Sequence, residues 1–180
     1  MKGETKVISN IAIVVASLIA ILLGYAATRP NRFRLQRSVT IKAPPEKAFA
    51  LINDFRQWGA WSPWEHRDVD LKRTYSGSSA GVGAVYEWDG KKTGLGRMEI
   101  IESSASWLVK IKLDFFKPFE AHNTAEFTLK QQGDSVTVTW AMYGPSPYMS
   151  KLMGIFFNID KMVGKDFEAG LEKMKAAAEK

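Results

Sequence analysis

The spacing of apolar residues changes along this chain, and each change predicts a different element. Val7 to Ala27 is almost uninterruptedly apolar, with Ser9, Asn10 and Ser17 as its polar breaks. As a helix, such a stretch covers about 30 Å, the thickness of a bilayer's hydrocarbon core. A helix on the surface of a soluble protein keeps a polar face, and this one has none. The pattern predicts a transmembrane helix over residues 7–27, inside an anchor region 1–28. A cleavable signal peptide is the alternative: Lys2 and Lys6 make a basic start, and Gly24-Tyr25-Ala26 is a small-x-small sequence. The apolar run exceeds the usual core of such a peptide, which favours the uncleaved anchor.

After a linker from Thr28 to Asn31 the period becomes two. Phe33, Leu35, Val39 and Ile41 alternate with Arg34, Gln36, Ser38 and Lys42, which reads as a strand. Pro44-Pro45-Glu46 stops it and opens a short helix whose apolar face is Ala48, Phe49, Leu51, Ile52 and Phe55. Further strands are predicted over 69–75, 84–88, 97–102, 107–116, 124–130 and 135–143. Turn signals stand at Asp89-Gly90, Lys117-Pro118, Gly133-Asp134 and Gly144-Pro145. Connections this short favour an antiparallel meander over parallel crossovers.

The last segment returns to helical spacing. Ser146 is placed to cap it and Pro147 to open it. Leu152, Phe156, Ile159, Val163, Phe167, Leu171 and Met174 step by three or four, as one continuous stripe. Gly154, Gly164 and Gly170 interrupt it at roughly 1 kcal/mol each relative to Ala, and mark a bend or a close approach. The whole predicts an α+β domain over residues 29–180. About seven strands form a curved antiparallel sheet, and the long C-terminal helix covers its concave face.

Composition narrows the chemistry. There is no Cys, which removes disulfides, thiolate catalysis and Cys-bound zinc. His66 and His122 are too far apart for a metal-ligand spacing, and no phosphate-binding glycine motif exists, so neither a metal site nor a cofactor is predicted. The net charge is +6, and Arg29, Arg32, Arg34 and Arg37 cluster just after the apolar run. That is a juxtamembrane patch, not the basic-aromatic stripe of a nucleic-acid surface. Lys and Arg outnumber those on the other flank, where Lys2, Lys6 and the amino terminus stand. The count leans toward a cytoplasmic domain on a single-pass anchor in the cell membrane.

One further pattern is specific. The run Arg37-Ser38-Val39-Thr40-Ile41-Lys42-Ala43-Pro44-Pro45-Glu46-Lys47-Ala48-Phe49 continues into Asp54-Phe55-Arg56-Gln57-Trp58 and Trp61-Ser62-Pro63-Trp64. With Gly81-Val82-Gly83 ahead of Tyr86-Glu87-Trp88 and the long last helix, it resembles the START-like superfamily, also called SRPBCC, polyketide cyclase-like or helix-grip, over about residues 33–178. The resemblance implies a deep cavity between sheet and C-terminal helix, holding lipids, sterols, polyketides or similar apolar molecules. It implies no universal catalytic residue, so none is assigned. The N-terminal anchor departs from the soluble pattern of the family and suggests ligands drawn from a membrane.

Inward strand positions and the helix stripe then supply candidate cavity residues. From the strands these are Tyr86, Trp88, Met98, Ile100, Val138, Trp140 and Met142. From the helix they are Met153, Phe156, Phe157 and Met162. Each has ordinary core packing as its alternative. Trp58, Trp61 and Trp64, spaced three apart, form a gate or else pack on the sheet. Glu99 and Glu126 fall on the opposite face, where solvated surface is the default. Non-catalytic binding of a hydrophobic small molecule or lipid is the first functional reading. A cyclase or dehydratase using His122, Tyr86 or Tyr143 is the second, and an interaction module with a collapsed cavity the third.

Overall fold

A computed structural model describes residues 2–180, with side chains from Lys6 onward. The side chain of Lys2 and the amino terminus, both counted in the charge comparison above, lie outside the described residues. The elements are α1 (Lys2–Thr28), β1 (Arg32–Ile41), α2 (Pro45–Asn53), a 3-10 turn (Phe55–Ala60), β2 (Lys72–Gly77), β3 (Ala84–Gly90), β4 (Gly94–Ser104), β5 (Leu108–Lys117), β6 (Ala121–Gln132), β7 (Ser135–Pro145), α3 (Tyr148–Phe156) and α4 (Ile159–Ala178). They build two compact units. One joins the chain up to Phe33 to Pro145–Ile159, and the other joins Arg34–Gly144 to Asp160–Lys180.

The larger unit is an α+β helix-grip fold. Its sheet has seven strands in the order β1-β7-β6-β5-β4-β3-β2, so the last strand returns beside the first. From β2 to β7 each neighbour is antiparallel. Register shifts at Leu95/Gly96 and Ile100/Glu102 put irregularities into β4. Such bulges increase local twist and bend a sheet into a bowl. Alternation then sets the faces: Ala125, Phe127 and Leu129 of β6 and Val136, Val138 and Trp140 of β7 are buried, while residues between them are less so. From α4, Phe167, Gly170, Leu171, Met174 and Ala178 are buried.

Four local expectations are corrected. Val69 is fully exposed and β2 begins only at Lys72, because Ser62, Glu65 and Asp68 of the preceding loop turn inward and hold it irregular. Asp89-Gly90 ends β3, and the chain reverses at Lys91–Thr93. There the Asp68 carboxylate accepts the backbone N–H of Lys92 at 2.9 Å and of Thr93 at 2.7 Å, satisfying donors that the turn leaves free. The C-terminal stripe is not continuous: Phe157 is extended (φ −121°, ψ 122°), separating α3 from α4. Nor does Ser146 cap α3, whose cap position is Pro147. Pro147 is itself extended (φ −57°, ψ 159°), so the helix opens at Tyr148.

The smaller unit is α1 with α3. The segment Lys6–Thr28 of α1 has a mean hydropathy of 2.6 over its best window and is long enough to cross a membrane. Its large apolar side chains from Val7 to Leu23 are exposed, except the half-buried Leu22. The Tyr148 hydroxyl donates to the carbonyl of Leu23 at 2.9 Å, and the Ser146 N–H donates to the carbonyl of Asn31 at 2.7 Å.

Candidate functional site

The larger unit holds a partly open cavity of about 560 Å³. That volume falls within the range of small-molecule sites, roughly 300–1,000 Å³. The floor is the concave face of the sheet: Tyr86 and Trp88 of β3, Met98 of β4, Leu113 and Phe115 of β5, Ala125 of β6, Trp140 and Met142 of β7. Met162, Val163, Asp166 and Phe167 of α4 form the roof. The loop after the 3-10 turn supplies one wall through Trp64, Glu65, Arg67 and Leu71.

Ring packing shapes the apolar part. Trp140 stacks on Phe167 of α4 at 3.9 Å between centroids and 8° between planes, and on Phe127 at 5.0 Å. Trp61 and Trp64 meet Trp140 edge-on, at 81° and 90°. The edge-on contacts suit the aromatic quadrupole, and each contributes on the order of 1 kcal/mol beyond its buried area. Trp88 faces Gly96 across the β3–β4 register, and its indole occupies the space a side chain at 96 would need.

The polar part is concentrated at one end. Tyr86 donates its hydroxyl proton to Glu65 Oε1 at 2.6 Å. Arg73 Nε donates to Glu65 Oε2 at 2.7 Å, while its Nη1 binds the carbonyl of Leu71 at 3.0 Å. Glu65 is buried, so its carboxylate needs both partners. Burial first, and the hydrogen bond to Glu65 second, push the Tyr86 hydroxyl well above the ordinary tyrosine value. The bond to Glu65 likewise raises the Arg73 guanidinium. This end therefore presents a neutral phenol and a compensated ion pair. At the α4 side, Arg67 pairs with Asp166 and lies over the ring of Trp64 at 5.9 Å, joining loop to helix beside the cavity. Asp68 feels burial, which pushes it up, but the bonds from Thr93 and Lys92 outweigh that and hold it below the usual carboxylate range.

A family model described as polyketide cyclase/dehydrase and lipid transport matches residues 32–179. The chain belongs to this family. No curated protein matches it in sequence. Solved structures share the fold at low identity. A protein from Chromobacterium violaceum is 16% identical with a TM-score of 0.59, covering 84% of this chain and 99% of its own. A solution structure from Thermobifida fusca is 19% identical with a TM-score of 0.60, covering 79% and 90%. The Aha1 dimer from Colwellia psychrerythraea is 14% identical with a TM-score of 0.54, covering 82% and 96%.

Within this polyketide cyclase/dehydrase-like frame the candidates divide. Tyr86, Trp88, Met98, Trp140, Met142 and Met162 line the cavity. Ile100 and Val138 point inward but are completely buried in the solid part of the core. Met153, Phe156 and Phe157 do not line it, contrary to expectation. They belong to the smaller unit and are exposed, because the break at Phe157 ends the stripe that should have carried them inward. Trp58 and Trp61 are buried, donating their indole N–H to the carbonyls of Ile52 and Leu51 at 3.0 and 2.9 Å. Trp61 is a packing residue away from the cavity, while Trp58, buried as it is, borders the cavity, as does Trp64 beside Arg67.

His122 and Tyr143 stand outside the cavity. His122 Nδ1 meets Asp114 at 2.7 Å, and Tyr143 donates to Glu126 at 3.0 Å. Glu126 also pairs with Arg34, and Glu99 with Arg97, as solvated sheet surface should. Glu65 and Arg73 carry the polar end and were missed. Glu65 lies in an irregular loop, where no periodicity distinguishes an inward carboxylate from an outward one. The clue available was a lone Glu inside a Trp-rich stretch.

Proposed function

We propose that this protein holds an apolar small molecule or lipid between sheet and α4, and that α1 tethers it to a membrane with the folded part on the cytoplasmic side. The observation that carries the reading is the cavity: about 560 Å³, walled mainly by aromatic, Met and Leu side chains, with Glu65, Arg67, Lys92, Thr93 and Asp166 among its polar lining. A ligand burying about 250 Å² of apolar surface there gains roughly 6 kcal/mol at 25 cal/mol per Å². That gain must exceed the cost of lost translation and rotation, so Tyr86 and Glu65 serve to orient the ligand more than to hold it. The family's description as lipid transport, and a helix long enough to span a bilayer, support a membrane source for the ligand.

The test is native mass spectrometry of the full chain released from detergent micelles. Wild type is expected to carry co-purifying mass. Ala125→Phe and Leu113→Trp, which fill the cavity, should lose it while keeping native near-UV circular dichroism. Equal occupancy in folded cavity-filled variants would sink the reading.

Proton-transfer chemistry at the polar end is the second reading, favoured by one observation: Glu65 is a buried carboxylate on the cavity wall. It would act as a base on a ligand C–H or O–H, with Tyr86 and Arg73 stabilising its charge. Glu65→Gln should then abolish turnover of a polyketone substrate and leave ligand occupancy intact. The open volume counts against an interaction module built on a collapsed cavity.

A further inference from the structure

The smaller unit carries an apolar helix face that the cavity does not use. In α3, Met149, Met153 and Phe156 recur at i, i+4 and i+7, and therefore share one face. They are 65%, 45% and 64% exposed, and Phe157 just beyond them is 52% exposed. The charged residue of α3 is Lys151, and it is buried, with Nζ donating to Asn31 Oδ1 at 2.6 Å. α3 thus shows solvent four large apolar side chains, counting Phe157, and no charge. Water is a poor partner for such a face.

Its attachment says what the partner is. The Tyr148 hydroxyl reaches the carbonyl of Leu23, inside α1. Leu23 lies about 8 Å before the end of α1 at Thr28, at 1.5 Å per residue. A helix lying in a membrane interface sinks its apolar face by about 5–10 Å, the same depth. Tyr25 and Tyr148 stand at this level, where aromatic belts form. Arg29 in the linker and Arg32 at the start of β1, both exposed, follow directly, where lipid phosphates would meet them. Lys151 turns its ammonium away from the apolar face toward Asn31, as a lysine at a bilayer boundary does.

We propose that α3 is an interfacial helix whose Met149, Met153, Phe156 and Phe157 insert into the leaflet that the C-terminal end of α1 leaves. The inference rests on the anchor reading of α1 and goes beyond it. Two attachments, one spanning and one lying flat, would fix the unit against rotation about α1.

The absence of native Cys permits single-site labelling. Nitroxide is attached to Met153→Cys, to Leu18→Cys within α1 and to Asp134→Cys on the exposed β6–β7 turn. Each full chain is placed in nanodiscs of equal parts phosphatidylcholine and phosphatidylglycerol. Collision with oxygen and with a water-soluble nickel chelate is read by electron paramagnetic resonance. At Met153 the nickel contact should fall roughly fivefold below that at Asp134, with oxygen contact raised toward that at Leu18, as expected for a group below the headgroups. Nickel contact at Met153 equal to that at Asp134, with Leu18 shielded, overturns the placement of α3 and leaves the anchor standing. Nickel contact at Leu18 overturns both. Exclusion of both reagents at Met153, with spin–spin broadening, assigns the face to a second copy of the chain and also overturns the proposal.

Discussion

Tyr86 stays protonated at physiological pH, since burial raises its hydroxyl far above the ordinary value and Glu65 already accepts its proton in a hydrogen bond. Removing that hydroxyl leaves Glu65 with Arg73 alone. Tyr86→Phe should therefore lower unfolding stability by about 1–3 kcal/mol, read from urea midpoints at constant slope. A neutral result would mean the polar end is hydrated and not a dry pair. His122 and Asp114 offer a second test at this scale. Asp114 first, then Glu120, raise the His122 imidazole above its ordinary value. Protonated His122 thus contributes stability in full below about pH 6.5, and that contribution is lost as pH rises through the folded value. Burial pushes Asp114 up, but hydrogen bonds from His122 and Lys112 outweigh it and hold it low. Its contribution is present above about pH 4 and is lost as pH falls through the folded value. His122→Gln should flatten the loss of stability as pH rises above about 6.5 and leave the rest of the acid limb in place. An unchanged alkaline limb would show that the pair does not couple to folding.

The elements were readable because most carry a period. Each of the seven strands lies where alternation and turn residues placed it, with ends displaced by a few positions. The interruptions in the helix pattern required the structure. At Gly170, an added Cβ would stand 3.0 Å from Pro63 and 3.1 Å from Trp140, both rigid. At Gly164 it would meet the guanidinium of Arg37, which binds Glu168 at 2.7 Å and Asp160 at 3.2 Å. At Gly154 it would meet nothing. Ala gains roughly 1 kcal/mol of helix propensity over Gly. Overpacking a core costs about 1–3 kcal/mol, and an exposed ion pair contributes 1 kcal/mol or less. Gly170→Ala should therefore destabilise the protein in thermal or urea unfolding, while Gly164→Ala should be nearly neutral. The reverse order would show that Arg37, and not the Trp140 contact, fixes α4 on the sheet.

At the scale of the molecule, charge and hydropathy bear on location while packing shapes the cavity. The proposed cytoplasmic placement follows from the excess of Lys and Arg after α1 over those before it. In intact cells, protease added outside should leave the folded part uncut, and lysis should expose it. Cleavage before lysis would invert the assignment. By itself the sequence determined that residues 7–27 are almost uninterruptedly apolar, that strands follow in a meander, and that a helix closes the chain, since these are regularities of spacing along one segment at a time. The tertiary structure alone decided that the last helix is broken at Phe157, so that α4 roofs the cavity and Met153, Phe156 and Phe157 do not. It also decided that Glu65 turns inward to meet Tyr86 and Arg73. Those outcomes depend on partners distant in sequence, whose approach is set by packing and by the need to satisfy a buried charge, and neither leaves a periodic trace in the chain.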